Sequence, residues 1–250
     1  MTLLDPSISA YLDAQPRYDH IRKVVRPLLH LALSSFAKIS VTGQENIPAT
    51  GPAILMINHI SYMDPALVTA VIKNRYAISM SKAENLDSFL PRIVIKTWGH
   101  FVVHRNMVDR KALIIAVELV SNGQLLLMAP EGTRRPKGLK EAREGLAYIG
   151  LKSDAIIIPT ALWGINDWKQ HIKRFKRVPT GIRFGTPFRF VSHNEAVNKQ
   201  VRHQMMQEAM YQLAKTIPNE VASLRGVYSD LSKSTTEFIE LIDQDELNKY

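Results

Sequence analysis

His59 and Asp64 are the residues of this chain best suited to acid–base chemistry, and both stand in the run Asn58-His59-Ile60-Ser61-Tyr62-Met63-Asp64. The histidine comes at the end of a predicted buried strand, 53–58. A carboxylate five residues later can be folded back by the intervening turn to bond one ring nitrogen. Such a bond fixes the tautomer and leaves the other nitrogen free to take a proton from a hydroxyl near neutral pH. The same aspartate, followed by Pro65, also reads as the N-cap of a helix over 64–73. Spacing discriminates little by itself, because His104 and Asp109 repeat it. That second pair lacks the preceding asparagine and the serine two residues on, and Asp109 falls inside a predicted helix, 107–121, so it reads as a decoy.

Two further segments place polar residues straight after apolar ones. Ala129-Pro130-Glu131-Gly132-Thr133-Arg134-Arg135 follows the apolar run 125–128. Gly132 lets a ligand approach the backbone, Thr133 offers a hydroxyl, and Arg134 can clamp phosphate oxygens through paired hydrogen bonds. Lys137, Lys140 and Arg143 extend the basic stretch. In Gly99-His100-Phe101-Val102-Val103-His104-Arg105, a short strand over 101–103 delivers Arg105 to a sheet end. Standing alone, the first reads as a solvated basic loop and the second says little.

The elements that must position these residues alternate. Strands are expected at 38–41, 53–58, 76–81, 101–103, 125–129, 155–160 and 181–190, the last broken at Gly185-Thr186-Pro187. Helices are expected at 18–37, 64–73, 91–98 (closed by Gly99), 107–121, 141–152 and 194–216. This rhythm implies an α/β fold, a layered, largely parallel sheet flanked by helices with an amphipathic helical segment before it. Ligands in such sheets collect at the carboxyl ends of strands, where all three polar segments fall. Ser234 and Glu237 form a capping-box pattern ahead of Phe238, Leu241 and Ile242, which predicts a short docked helix. The expected organisation is a helical N-terminal segment, 1–37, a central domain, 38–228, and an acidic tail, 229–250.

A chain of 250 residues with 46% hydrophobic and 22% charged residues can bury one substantial core. The absence of cysteine excludes thiol nucleophiles, disulfides and thiolate metal sites. The formal charge of +9 points to an anionic partner such as a phosphate ester, a nucleotide, a nucleic acid or an acidic membrane. Nucleic acid is not expected, since zinc spacing, a helix-turn-helix signal and an aromatic sheet motif are all lacking. Gly145 and Gly150 precede Leu151-Lys152-Ser153 one residue out of P-loop register, which argues against nucleotide binding. No secretory signal is expected at the start. After Arg26 only eleven residues pass before Lys38, about half of the roughly 20 needed to span a bilayer. The helix over 18–37 instead suits either a membrane interface, with Arg22, Lys23 and Arg26 beside its apolar part, or packing on its own domain.

Taken in order, these segments resemble the phospholipid and glycerolipid acyltransferase family typified by 1-acylglycerol-3-phosphate acyltransferases. Asn58, His59, Ser61 and Asp64 match its Asn-His-x-Ser-x-x-Asp block; Gly99, Phe101, Val103 and Arg105 match its second; and Pro130-Glu131-Gly132-Thr133-Arg134 matches its third. A fourth, an apolar strand ending in proline, matches 156–159 and ends on Pro159. Ala129 and Arg135 depart from residues common in the family, and His104 occupies a position often acidic or otherwise polar; none of these is a presumed catalytic group.

The resemblance implies that His59 is a general base on an acceptor hydroxyl, that Asp64 holds its imidazole, and that the acyl group comes from an acyl thioester. Arg105, Gly132, Thr133 and Arg134 would hold the acceptor phosphate, with Glu131 organising the loop and Asn58, Ser61, Gly99 and Pro159 in support. No bound cofactor is implied; acyl-CoA or acyl carrier protein is the donor substrate. The expected acceptor is a lysophospholipid, foremost 1-acylglycerol 3-phosphate, with glycerol 3-phosphate, another lysophospholipid or a lysolipid lacking glycerol as competing acceptors. A basic membrane- or nucleic-acid-binding module is the non-enzyme alternative. Each methylene withdrawn from water contributes about 0.8 kcal/mol, so a chain of about fourteen contributes on the order of 11 kcal/mol. Such substrates reside in bilayers, which implies a peripheral protein on the cytoplasmic face of a membrane. The basic cluster Lys169, Lys173, Arg174, Lys176 and Arg177, interleaved with Trp163, Trp168 and Phe175, is a second candidate membrane contact.

Overall fold

The most apolar runs of the chain become the middle of a sheet. In the computed structural model, which describes residues 5–82, 87, 89–103, 109–174, 176–193 and 196–250, β2 (Ala53–Ile57) lies between β5 (Leu125–Met128) and β6 (Ile156–Trp163), parallel to both. Their near-continuous hydrophobic character is what a strand covered on both faces requires. The pleat then divides the side chains. Ile54, Met56, Leu126, Met128 and Ile157 face one core, and Leu55, Ile57, Leu125, Leu127 and Ile158 face the other.

Around this centre the order is β1-β7-β6-β2-β5-β3-β4, where β1 is Ala37–Thr42, β3 is Ala77–Lys82, β4 is Phe101–Val103 and β7 is Val178–Phe184. Pairing is parallel from β4 through β3, β5 and β2 to β6, and turns antiparallel at β7. The first core is covered by α4 (Arg110–Ser121), α5 (Gly145–Ser153) and α7 (Lys199–Thr216). The second is covered by α1 (Pro6–Phe36), α2 (Asp64–Val71) and the C-terminal residues Ile242 and Leu247. The layered, largely parallel α/β architecture is as expected.

Several boundaries differ, each for a local reason. Helix α1 begins twelve residues before the predicted start at Tyr18, since the Asp5 carboxylate accepts the Ser7 amide at 2.8 Å and Pro6 fills the first turn. Pro16 and Pro27 lie inside it. Ile8, Gln15 and Arg22 recur every seven residues and are buried, so packing along that face holds the helix through its prolines. Arg22, expected to meet a lipid surface, is 1% exposed. Its guanidinium donates to the Trp98 carbonyl, to Gln15 and to Asp19. Arg26 donates to the carbonyls of Ile72 and Lys73.

The predicted helix 107–121 starts at Arg110; Asp109 is its N-cap, accepting the Ala112 amide at 2.9 Å, rather than an interior residue. Helix α5 starts at Gly145, four residues after the predicted 141, and α7 is capped by Asn198. The expected tail helix is instead β9 (Ile239–Leu241), paired with β8 (Phe188–Phe190). The buried Glu208 carboxylate accepts the amides of Glu237 at 2.9 Å and Phe238 at 2.8 Å, taking donors that a Ser234 cap would have needed.

Candidate active site

Parallel pairing of β2 and β5 in the register Met56 with Met128 brings the two polar loops to the same sheet edge. His59 and Glu131 each lie three residues beyond that pair. Asn58 anchors the first loop: its side chain donates to the Leu162 carbonyl at 2.9 Å and accepts the Leu162 amide at 2.7 Å, extending the β2–β6 edge by side-chain bonds. The chain then turns, with the Ser61 hydroxyl accepting the Met63 amide at 3.3 Å.

Asp64 is fully buried, and its Oδ2 accepts the amides of Ile60 at 2.7 Å and Ser61 at 2.8 Å and meets His59 Nδ1 at 2.9 Å. The expected N-cap role is not taken: Met63 occupies the cap position, no side chain caps α2, and the carboxylate points back into the preceding turn. α2 ends at Val71 rather than 73. Burial pushes the Asp64 carboxyl above its ordinary range, against the opposing pull of His59 and of the Ser61 and Ile60 amides. With that carboxylate ionised, His59 carries its proton on Nδ1, and Nε2 is left as the basic nitrogen. The His59 side chain is 17% exposed and lines a cavity of about 820 Å³.

The second loop is locked to the first. The Arg135 amide donates to the His59 carbonyl at 2.5 Å, and Arg143 donates its amide to the Pro130 carbonyl at 2.9 Å. Glu131, 4% exposed, accepts the Lys140 amide at 2.9 Å. Burial raises its carboxyl, while the Lys140 and His59 amides and the Arg135 charge act against that rise.

The cavity has two kinds of wall. Met80, Val103, Leu113, Leu127 and Leu146 make an apolar side, while His59, Gly132, Arg143 and the Glu144–Arg202 pair bring polarity to it. Of the residues the motifs single out, His59, Val103, Pro130 and Gly132 line it. Thr133 and the exposed Arg134 stand on the loop without lining it. Arg105 and His104 lie outside the described residues. Among the described residues no cluster of three or more His, Asp or Glu side chains could hold a metal ion.

Gly99 and Pro159 serve the frame. Gly99, at φ +76°, closes α3 (Phe89–Trp98) beneath α1; a Cβ there would meet Tyr18 at 2.6 Å and Arg22 at 2.9 Å. Its carbonyl accepts the Tyr11 hydroxyl at 2.8 Å. Pro159 sits in β6 where β7 has ended and β8 not yet begun, with its carbonyl accepting the Gly185 amide at 2.7 Å. Its nitrogen faces the same gap, where a missing donor costs nothing. The apolar wall on α4 was not among the residues singled out from sequence; the apolar stripe of that helix is the only sign of it, and a helix packed on its own core shows the same stripe.

The Acyltransferase family model matches residues 38–163, half of the chain, and the chain belongs to that family. The chain is 31% identical over 134 residues to the 1-acyl-sn-glycerol-3-phosphate acyltransferase of Borreliella burgdorferi, a match covering 52% of this chain and 53% of that one. It thus spans about half the length of that curated relative. Its fold is similar to that of the 1-acyl-sn-glycerophosphate (LPA) acyltransferase PlsC from Thermotoga maritima, with a TM-score of 0.55 and 24% identity over 76% of this chain and 77% of that one.

Proposed function

We propose that the protein transfers a fatty acyl group from an acyl thioester, acyl-CoA or acyl carrier protein, to the hydroxyl of 1-acylglycerol 3-phosphate, giving phosphatidic acid. The observation that carries this reading is the His59–Asp64 pair, bonded at 2.9 Å, on the wall of a largely apolar cavity. His59 Nε2 takes the acceptor's hydroxyl proton as the oxygen attacks the thioester carbonyl. The tetrahedral intermediate collapses with cleavage of the carbon–sulfur bond, and the proton passes from the imidazolium to the leaving thiolate. Asp64, held by two backbone amides, keeps the ring oriented and stabilises the imidazolium between these steps. The loop over 129–135 receives the acceptor phosphate, and the apolar wall receives an acyl chain. The activity of the Borreliella burgdorferi relative supports the choice of acceptor.

The reaction takes place at a membrane surface in this reading. Among the described residues no helix is long and apolar enough to cross a membrane. Ile21, Val24, Leu28 and Leu31 of α1 are instead 42–69% exposed and recur at three- and four-residue steps, an apolar stripe facing away from the domain. Seating it in a bilayer interface contributes about 3–6 kcal/mol at half-burial of each side chain. Lys23 lies on the same helix to meet anionic headgroups.

One panel tests the function: purified protein in detergent, one labelled acyl thioester, and 1-acylglycerol 3-phosphate, glycerol 3-phosphate, a headgroup-bearing lysophospholipid and a glycerol-free lysolipid as acceptors, read by lipid mass. The reading expects phosphatidic acid as the main product. Transfer confined to another acceptor reassigns the substrate, and no transfer to any of them rejects the enzyme.

A further inference from the structure

We propose that Arg143, which lies outside the four motifs, forms the anion subsite of the His59 cavity and holds the phosphate of the acyl acceptor; this rests on the functional reading above. The backbone bond from Arg143 to the Pro130 carbonyl folds the chain back over the motif loop. Its side chain then lies across Gly132, where a Cβ would meet Nε at 3.3 Å, Cδ at 3.4 Å and Cζ at 3.6 Å. At φ +66°, and without a side chain, Gly132 gives the guanidinium a bare stretch of backbone on the cavity wall.

Charge accounting at this wall singles out the same residue. Arg202, the other arginine there, is committed to the Glu144 carboxylate at 2.9 Å and the Val197 carbonyl at 2.9 Å. Among the described residues lining the cavity, Arg143 is the arginine without a carboxylate partner. Arg143 and the motif arginine Arg134 are both exposed at the surface, but Arg134 does not line the cavity and Arg143 does.

The acceptor's own geometry explains why a cation belongs beside the base. In 1-acylglycerol 3-phosphate one methylene and one ester oxygen separate the phosphorus from the carbon bearing the reacting hydroxyl. A hydroxyl at His59 therefore brings the phosphate into the same cavity. The phosphates of a thioester donor lie at the far end of its pantetheine arm. A guanidinium fork matches two phosphate oxygens, which a lysine can only meet as a point charge.

The test measures binding and turnover side by side. Wild type, Arg143→Gln and Arg143→Lys are titrated calorimetrically, without donor, with a short-chain 1-acylglycerol 3-phosphate and with the matching monoacylglycerol. Arg143→Gln is expected to weaken the phosphate ligand about 10- to 100-fold and to change the monoacylglycerol less than twofold, with Arg143→Lys between. In turnover, the acceptor KM rises by a similar factor while kcat and the donor KM hold. Equal losses for both ligands, no loss for the phosphate ligand, a wild type indifferent to the phosphate, or a rise in donor KM instead would each overturn the subsite. An Arg143-dependent preference for the phosphate ligand in a protein that transfers no acyl group keeps the subsite and rejects the enzyme reading; transfer with unaltered binding in Arg143→Gln does the reverse.

Discussion

His59 and His100 are both held through Nδ1, His59 by the Asp64 carboxylate at 2.9 Å and His100 by the Ser79 amide at 2.9 Å. An amide N–H only donates, so the His100 Nδ1 must remain unprotonated, and the ring, stacked on Trp98, stays neutral. Burial, and then the positive charge of Arg22, pull its pKa from 6.5 down to about 3. The carboxylate at His59 instead lies where it can accept from Nδ1, leaving Nε2 as the acceptor nitrogen. His100 is held out of titration, whereas His59 keeps the arrangement that the proposed proton transfer needs. The partner, rather than the histidine or its closeness to a strand end, makes the difference.

Exchanging the partner is the harshest way to break this contrast. Because one oxygen of Asp64 serves the Ile60 amide, the Ser61 amide and His59 Nδ1, Asp64→Asn can keep all three bonds through its amide oxygen but removes the negative charge that stabilises an imidazolium in the proposed reaction. Acyl transfer is expected to fall about 10²- to 10⁴-fold with circular dichroism unchanged, measured as kcat on the folded variant. A loss below tenfold would mean that the charge of the carboxylate does not support the proton transfer.

The pH dependence of stability sharpens the other side. Between pH 6.5 and about 3 the unfolded chain binds a proton at His100 that the native state excludes, so stability falls as pH falls through that window. The slope from this residue is at most about 1.4 kcal/mol per pH unit, or about 2.7 kcal/mol over two units. Urea unfolding at pH 6.5 and 4.5 is expected to show a smaller difference for His100→Asn than for wild type. Identical differences would remove His100 from the acid response.

The smallest effect separates the two His-x4-Asp pairs. Asp109 lines the cavity but caps its own helix through the Ala112 amide, so Asp109→Ala is expected to cost about 1 kcal/mol in denaturant stability and to lower kcat far less than Asp64→Asn does. A loss of activity like that of Asp64→Asn would make the two aspartates equivalent.

Much of this was legible in the residues. The runs 53–57, 125–128 and 156–160 are too apolar for an exposed face, and their alternation with helices fixes a layered parallel sheet. The placement of two motif loops at one edge follows from that topology. Whether Asp64 would cap forward or fold back was open, because both uses satisfy the same spacing; the Ile60 and Ser61 amides decide it in three dimensions. The burial of Arg22 was hidden for a similar reason: a charge on an apolar helix reads as interfacial until the Trp98 carbonyl that receives it is known. The tail strand depended on Glu208, about 30 residues away in the chain. Arg143 carried no signal of its own beyond belonging to a basic stretch.

The central claim is that His59 is the base, and the most direct measurement is acyl transfer by His59→Ala to 1-acylglycerol 3-phosphate, with circular dichroism and the unfolding midpoint taken on the same sample. His59 is on the cavity wall rather than in the core, so the fold is expected to survive. The account predicts a loss of about 10²- to 10⁴-fold in kcat from a protein with wild-type spectra. Activity within tenfold of wild type would contradict it.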